Sequence, residues 1–133
     1  MKRWPILLLA TSSLLAAAPV AAVSLNGQML GAGAPVAGST VTLWAAGSGA
    51  PKLLAQVRSS ADGHFVVNVS GPADKDTSLY LVAKGGRSAA DKSAGDNPAI
   101  ALMAVVGNRP PGRVAINEFS TIASVWTHNQ FID

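Results

Sequence analysis

Thr40-Val41-Thr42-Leu43-Trp44 decides the fold, because polar and apolar residues alternate through it without a break. An extended chain sends successive side chains to opposite faces, so Val41 and Leu43 share one face while Thr40, Thr42 and Trp44 share the other. The pattern recurs in His64-Phe65-Val66-Val67-Asn68-Val69, which sets Phe65, Val67 and Val69 inward and His64 outward. Ser78-Leu79-Tyr80-Leu81-Val82-Ala83 is apolar after its first residue and fits a central strand.

Working outward, Val23 to Gly27 and Leu53 to Arg58 are weaker strands. Turn residues separate these runs: three glycines and a proline between Gly31 and Gly38, a hairpin signal at Ala61-Asp62-Gly63, and Gly71-Pro72. Residues 84–98 read as a polar loop. Short strands punctuated in this way predict a mainly β chain folded as a small antiparallel β-sandwich. Ala99 to Val106 is expected to be a buried strand, followed by a break at Pro110-Pro111-Gly112 and a short extended piece at Val114 to Ile116. Asn117 then offers an N-cap with Glu118 in the first turn, and Phe119, Ile122, Ala123 and Trp126 recur at helical spacing. This predicts a short C-terminal helix with one apolar face. Phe131 and Ile132 follow it. The helix is expected either to dock on the sandwich with Trp126 buried or to stay frayed until a partner covers it.

The first residues have a different logic. Lys2 and Arg3 precede an apolar run from Ile6 to Ala10 and from Leu14 to Ala18, and Val20 and Ala22 are the small residues a signal peptidase requires. Thr11, Ser12, Ser13 and Pro19 interrupt the run, which falls short of the roughly 20 consecutive apolar residues of a membrane span. Residues 1–22 are therefore expected to be a secretory signal peptide cut between Ala22 and Val23. The product would be secreted or periplasmic, with no membrane attachment after cleavage.

Losing Lys2 and Arg3 leaves eight basic residues against seven acidic ones, so the formal charge drops from +3 to +1. The basic residues are scattered among acids, which argues against nucleic acid as a partner. With no cysteine, stability has to come from a core. About 110 residues suffice for one core. The expected division is a sandwich over residues 23–106 and a linker with the helix over residues 107–133.

Catalytic constellations are weak. His64 lies two residues after Asp62 in a serine-rich chain, but it points outward and no Gly-x-Ser-x-Gly elbow is present. Asn117-Glu118 is better explained by helix capping than as half of a glycosidase pair. Asp62, Asp74, Asp76, Asp91 and Asp96 lack the spacing of a calcium loop, two histidines make no zinc site, and Lys84-Gly85-Gly86 lacks the phosphate-loop pattern. No catalytic residue, metal ligand or cofactor is expected. Trp44, Tyr80 and Trp126 are the candidate contact residues: an exposed aromatic can stack on a sugar or on a partner's side chain. For Trp44, packing beneath the 84–98 loop or the helix is the preferred expectation.

Three stretches carry a resemblance: Ala34-Pro35-Val36-Ala37-Gly38-Ser39-Thr40-Val41-Thr42-Leu43, Ser59-Ser60-Ala61-Asp62-Gly63-His64-Phe65, and Leu79-Tyr80-Leu81-Val82-Ala83. From Gly27 to Gly86 the chain resembles the carboxypeptidase regulatory-like module of the prealbumin-like sandwich class. It departs from that pattern at Ser39, where alanine is usual, and at Ser59-Ser60, where threonine and aspartate are common. The tail from Asn117 to Trp126 is similar to a segment of exported bacterial proteins in which such a module precedes an NHL-type β-propeller. The resemblance implies a non-catalytic structural or interaction domain whose partner is a propeller or another extracytoplasmic protein. The alternatives are a carbohydrate or cell-wall binding module using exposed aromatics, and a minor hydrolase using His64.

Overall fold

The computed structural model describes residues 22–70 and 75–129. The predicted signal peptide up to residue 21, the Gly71-Pro72 turn, Asp74, Phe131 and Ile132 lie outside them. In chain order the elements are β1 Ala22–Gly31, β2 Ala34–Ala37, β3 Thr40–Ala46, β4 Lys52–Arg58, β5 His64–Ser70, β6 Ser78–Lys84, β7 Arg87–Ser88, β8 Ala101–Gly107, β9 Arg113–Ile116 and α1 Glu118–Asn129. The strands form two sheets. One has the order β5-β1-β2-β7 with β9 added beside β1, and the other has the order β4-β3-β6-β8. The fold is mainly β with a short C-terminal helix, as the alternation requires.

The core lies between the sheets. Leu25, Met29, Val36, Phe65, Val67 and Ile116 enter it from the first sheet, and Val41, Leu43, Leu79, Leu81, Ala83 and Ala104 from the second. Each large aliphatic or aromatic side chain buried there contributes roughly 1.5–3 kcal/mol before conformational entropy is subtracted. Gly27 faces Phe65 across the β1–β5 ladder. A Cβ on Gly27 would stand 2.0 Å from the ring's Cζ, so the ring fills the space a side chain would need.

Several expectations change in the folded chain. The Ala61-Asp62-Gly63 turn forms, but it joins β4 of one sheet to β5 of the other, so it is an arch between sheets and not a hairpin. The Gly31 to Gly38 segment contains β2, and the 84–98 loop contains β7, which pairs with β2 through Val36 and Ala37. Both strands are too short to show a period. Arg113–Ile116, placed by the sequence in the linker, adds a strand to the first sheet and runs parallel to β1, with Asn26 opposite Arg113 and Met29 opposite Ile116. Every other ladder is antiparallel. The strand expected to be buried, β8, is the edge of its sheet. Only Ala104 in it is fully covered, while Val105 is 38% exposed.

Candidate functional site

α1 begins as its sequence predicts. The Asn117 side-chain oxygen accepts the Ser120 N–H at 2.8 Å, and the Ser120 hydroxyl accepts the Asn117 N–H at 2.9 Å, a reciprocal box with serine in place of the usual glutamate. Glu118 in the first turn reaches back instead to the β1–β2 turn. There its carboxylate accepts the Ala32 N–H at 2.7 Å. That hydrogen bond, followed by the N–H of Glu118 itself, holds its carboxyl below the usual glutamate range.

The helix docks, but with the opposite face from the one its apolar residues suggest. Thr121 Oγ1 accepts the Met103 N–H at 3.0 Å, Ser124 Oγ accepts the Val105 N–H at 3.1 Å, and Ser120 Oγ donates to the Met103 carbonyl at 2.8 Å. Thr121 and Ser124 pass their own hydroxyl protons to the carbonyls of Asn117 and Ser120, each four residues back and at 2.7 Å. The physical reason lies in β8. An edge strand presents free N–H and C=O groups, which an apolar side chain leaves unsatisfied and a hydroxyl can both accept from and donate to. Phe119, Ile122 and Trp126 consequently face outward, with 81%, 65% and 70% of their surface exposed. Docking with Trp126 buried is thus corrected: Trp126 is on the solvent side. Ser120, Thr121 and Ser124 were not singled out by sequence reading, although their spacing of one and four residues marks a single helix face.

Trp44 and Tyr80 are brought together on the outer face of the second sheet. They are directly opposed in the β3–β6 ladder, with ring centroids 6.4 Å apart and planes 11° from parallel. The indole N–H donates to Thr42 Oγ1 at 2.9 Å, and Thr42 in turn donates to the Val82 carbonyl at 3.1 Å. Both rings are half-buried. Trp44 therefore packs on its cross-strand neighbour and not beneath the 84–98 segment or the helix. Register extends the row to Leu53 on one side and Val105 on the other, giving an apolar line across four strands.

Ser60, Asp62 and His64 meet in the arch. The Ser60 hydroxyl lies 2.5 Å from Asp62 Oδ1 and 2.8 Å from the His64 carbonyl, and the same Asp62 oxygen accepts the backbone N–H of His64 at 3.3 Å. These contacts tie the turn through the backbone of His64, leaving its imidazole on the outer face of β5. Ser39 and Ser59, where the chain departs from the resembled pattern, are both buried. Ser59 Oγ accepts the Ser39 N–H at 2.9 Å and donates to the Val36 carbonyl at 2.7 Å. Their role is to satisfy backbone groups where the chain changes sheets. Among the described residues no group of three metal-ligating side chains comes together.

No family model and no curated protein matches this chain. Among solved structures, it is similar to a 9R-lipoxygenase from Cyanothece PCC8801, with 13% identity and a TM-score of 0.42 over 82% of this chain. The match spans 18% of that protein. At this distance the likeness carries no chemistry across.

The arch makes a prediction about acid. The Ser60 hydroxyl first, and the His64 N–H second, hold the Asp62 carboxyl below its ordinary range. A carboxyl with a lowered folded pKa adds stability above its unfolded value of about 3.9, and that stability is lost as the pH falls through the folded value. Ser60→Ala is expected to melt below the parent at about pH 6, and the gap is expected to narrow as the pH falls through the range in which Asp62 takes up its proton. Melting curves taken across this range check it, and a constant gap at every pH would contradict it.

Proposed function

We propose that this chain is a non-catalytic, extracytoplasmic β-sandwich module that holds another protein domain through the outward face of α1. One observation carries the reading: the helix fastens to β8 through Ser120, Thr121 and Ser124 and leaves Phe119, Ile122 and Trp126 uncovered. A free-standing module gains nothing from such a stripe. Covering those three side chains would contribute roughly 1.5–3 kcal/mol each before the costs of association. The turn and strand motifs shared with carboxypeptidase regulatory-like modules, and the tail similar to those that precede an NHL-type β-propeller, support a propeller or comparable exported domain as the partner. The apolar, signal-like first residues support export, and no described helix is long and apolar enough to cross a membrane.

Phe119→Ser combined with Trp126→Ser tests this. Both side chains are exposed, so the variant is expected to keep the parent's stability within about 0.5 kcal/mol. A photoreactive residue at position 122 of the parent, in cells that export the chain, is expected to crosslink to one extracytoplasmic protein or domain. The double substitution should abolish that adduct, and the same photoreactive residue at Gln56 should not form it. A marked loss of stability in the double variant, or an adduct unaffected by it, would overturn the reading.

A further inference from the structure

A groove of about 660 Å³ lies over the outer face of the first sheet, on the other side of the sandwich from Trp44. Leu25, Met29, Phe65, Val67 and Ile116 fill the core, so alternation turns Asn26 and Gln28 of β1, His64 and Val66 of β5, and Arg113 and Ala115 of β9 outward. Register sorts these six into two rows. Val66, Asn26 and Arg113 lie side by side across the three strands, and so do His64, Gln28 and Ala115. Ala115 is the smallest of the six and leaves the low point between Gln28 and the edge.

The chemistry of the lining is specific. Arg113 is its permanent charge, no acidic side chain lines it, and among the described residues the guanidinium has no ion pair or hydrogen bond. Gln28 donates through Nε2 to the Asp62 carbonyl at 3.2 Å, which fixes its amide and directs Oε1 elsewhere. A guanidinium takes a carboxylate through two parallel hydrogen bonds. Side-chain amides and an imidazole both donate and accept, which suits hydroxyl groups. Val66, 48% exposed in the middle of this polar surface, offers an apolar contact.

We propose that this face binds an acidic oligosaccharide, with a uronate carboxylate on Arg113, neighbouring hydroxyls on Asn26, Gln28 and His64, and the C–H face of a sugar ring on Val66. A simple anion would use only the arginine, and a neutral sugar would leave it unmatched. From Arg113 to His64 the diagonal across three strands is about 12 Å, long enough for more than one sugar unit. The site is independent of α1 and goes beyond the partner-holding reading.

Titration of the purified full-length chain with tetragalacturonate, followed by backbone amide NMR, tests it against cellotetraose and inorganic phosphate. Tetragalacturonate is expected to shift the amides of residues 26, 28, 66 and 115. Arg113→Gln should weaken binding at least about tenfold, as loss of a charged hydrogen-bonded pair implies. Ala115→Trp, which fills the groove from an exposed position, should abolish binding with an unchanged melting temperature. Trp44→Ala and the Phe119→Ser/Trp126→Ser variant should bind as the parent does. The proposal is overturned if cellotetraose binds as well as the uronate, if phosphate alone reproduces the shifts, if Trp44→Ala removes binding, or if none of these amides moves.

Discussion

Gly63→Ala is expected to destabilise the fold by about 3 kcal/mol or more, through two effects that a control can separate. Gly63 has a φ of 76°, and an alanine held there costs about 1–2 kcal/mol on backbone sterics alone. Its Cβ would also stand 2.4 Å from the Met29 carbonyl oxygen and 3.3 Å from the Val36 nitrogen. Those are backbone atoms, so no rotamer change relieves the contact. Retreat of the turn would stretch the 2.8 Å hydrogen bond from the Met29 N–H to the Gly63 carbonyl. Gly33 supplies the control, since its φ is 75° and nothing lies within 4 Å of a Cβ built there. Gly33→Ala should therefore show the conformational cost without the clash. In a domain of this size the Gly63 variant should melt more than about 10 °C below the parent, and the Gly33 variant roughly half as far. Equal losses in the two would mean that the approach of Gly63 to β1 is not what the glycine is for.

The same glycine shows what is legible in a sequence of this kind. Alternation is local, so the inward faces of β3 and β5, with Val41 and Leu43 or Phe65 and Val67, could be assigned from the residues alone. The turn at Asp62-Gly63 was equally plain. Which sheet the next strand joins was not, because β4 and β5 bury the same kind of face whether they pair with each other or lie in different sheets. β2 is set by Pro35 pairing with Leu30 of β1, and β7 by Arg87 pairing with Ala37 of β2, and four and two residues hold no period to detect. The groove has no local signature at all. Residues 66, 26 and 113 become neighbours only through the antiparallel β1–β5 register and the parallel β1–β9 register, which join segments far apart in the chain.

α1 is the instructive case, since its spacing and cap were readable while its orientation was not. The apolar stripe defined by Phe119, Ile122 and Trp126 points to the face that ought to be buried if the only consideration is apolar area. Burial of the other face follows once β8 is known to be an edge whose N–H groups at Met103 and Val105 need acceptors. That requirement is a property of the sheet, not of the helix. Two demands therefore compete at one surface, and the backbone's wins because a stripe can be covered by another molecule while an edge strand under a helix has no other partner at hand.

Replacing Ser120, Thr121 and Ser124 together by alanine tests that ordering. Alanine is the better helix former, so the intrinsic tendency of α1 to be helical does not fall, although Ser120 also belongs to the cap. What is lost is the set of bonds to the Met103 N–H, the Met103 carbonyl and the Val105 N–H. At about 1 kcal/mol for each, and more where the group is left dry, the expected loss is about 3–4 kcal/mol. Hydrogen exchange locates it. The amides of Met103 and Val105 should lose their protection, while those of β3 and β6, paired on both sides within the sheet, keep theirs until the whole domain opens. The competing outcome is a helix that rolls over, lays Phe119, Ile122 and Trp126 on β8 and keeps the stability within about 1 kcal/mol of the parent's. In that event Trp126 emission shifts to the blue, the hydroxyls choose the face without holding the helix, and the outward stripe is a consequence of three side chains and not of the edge strand beneath them.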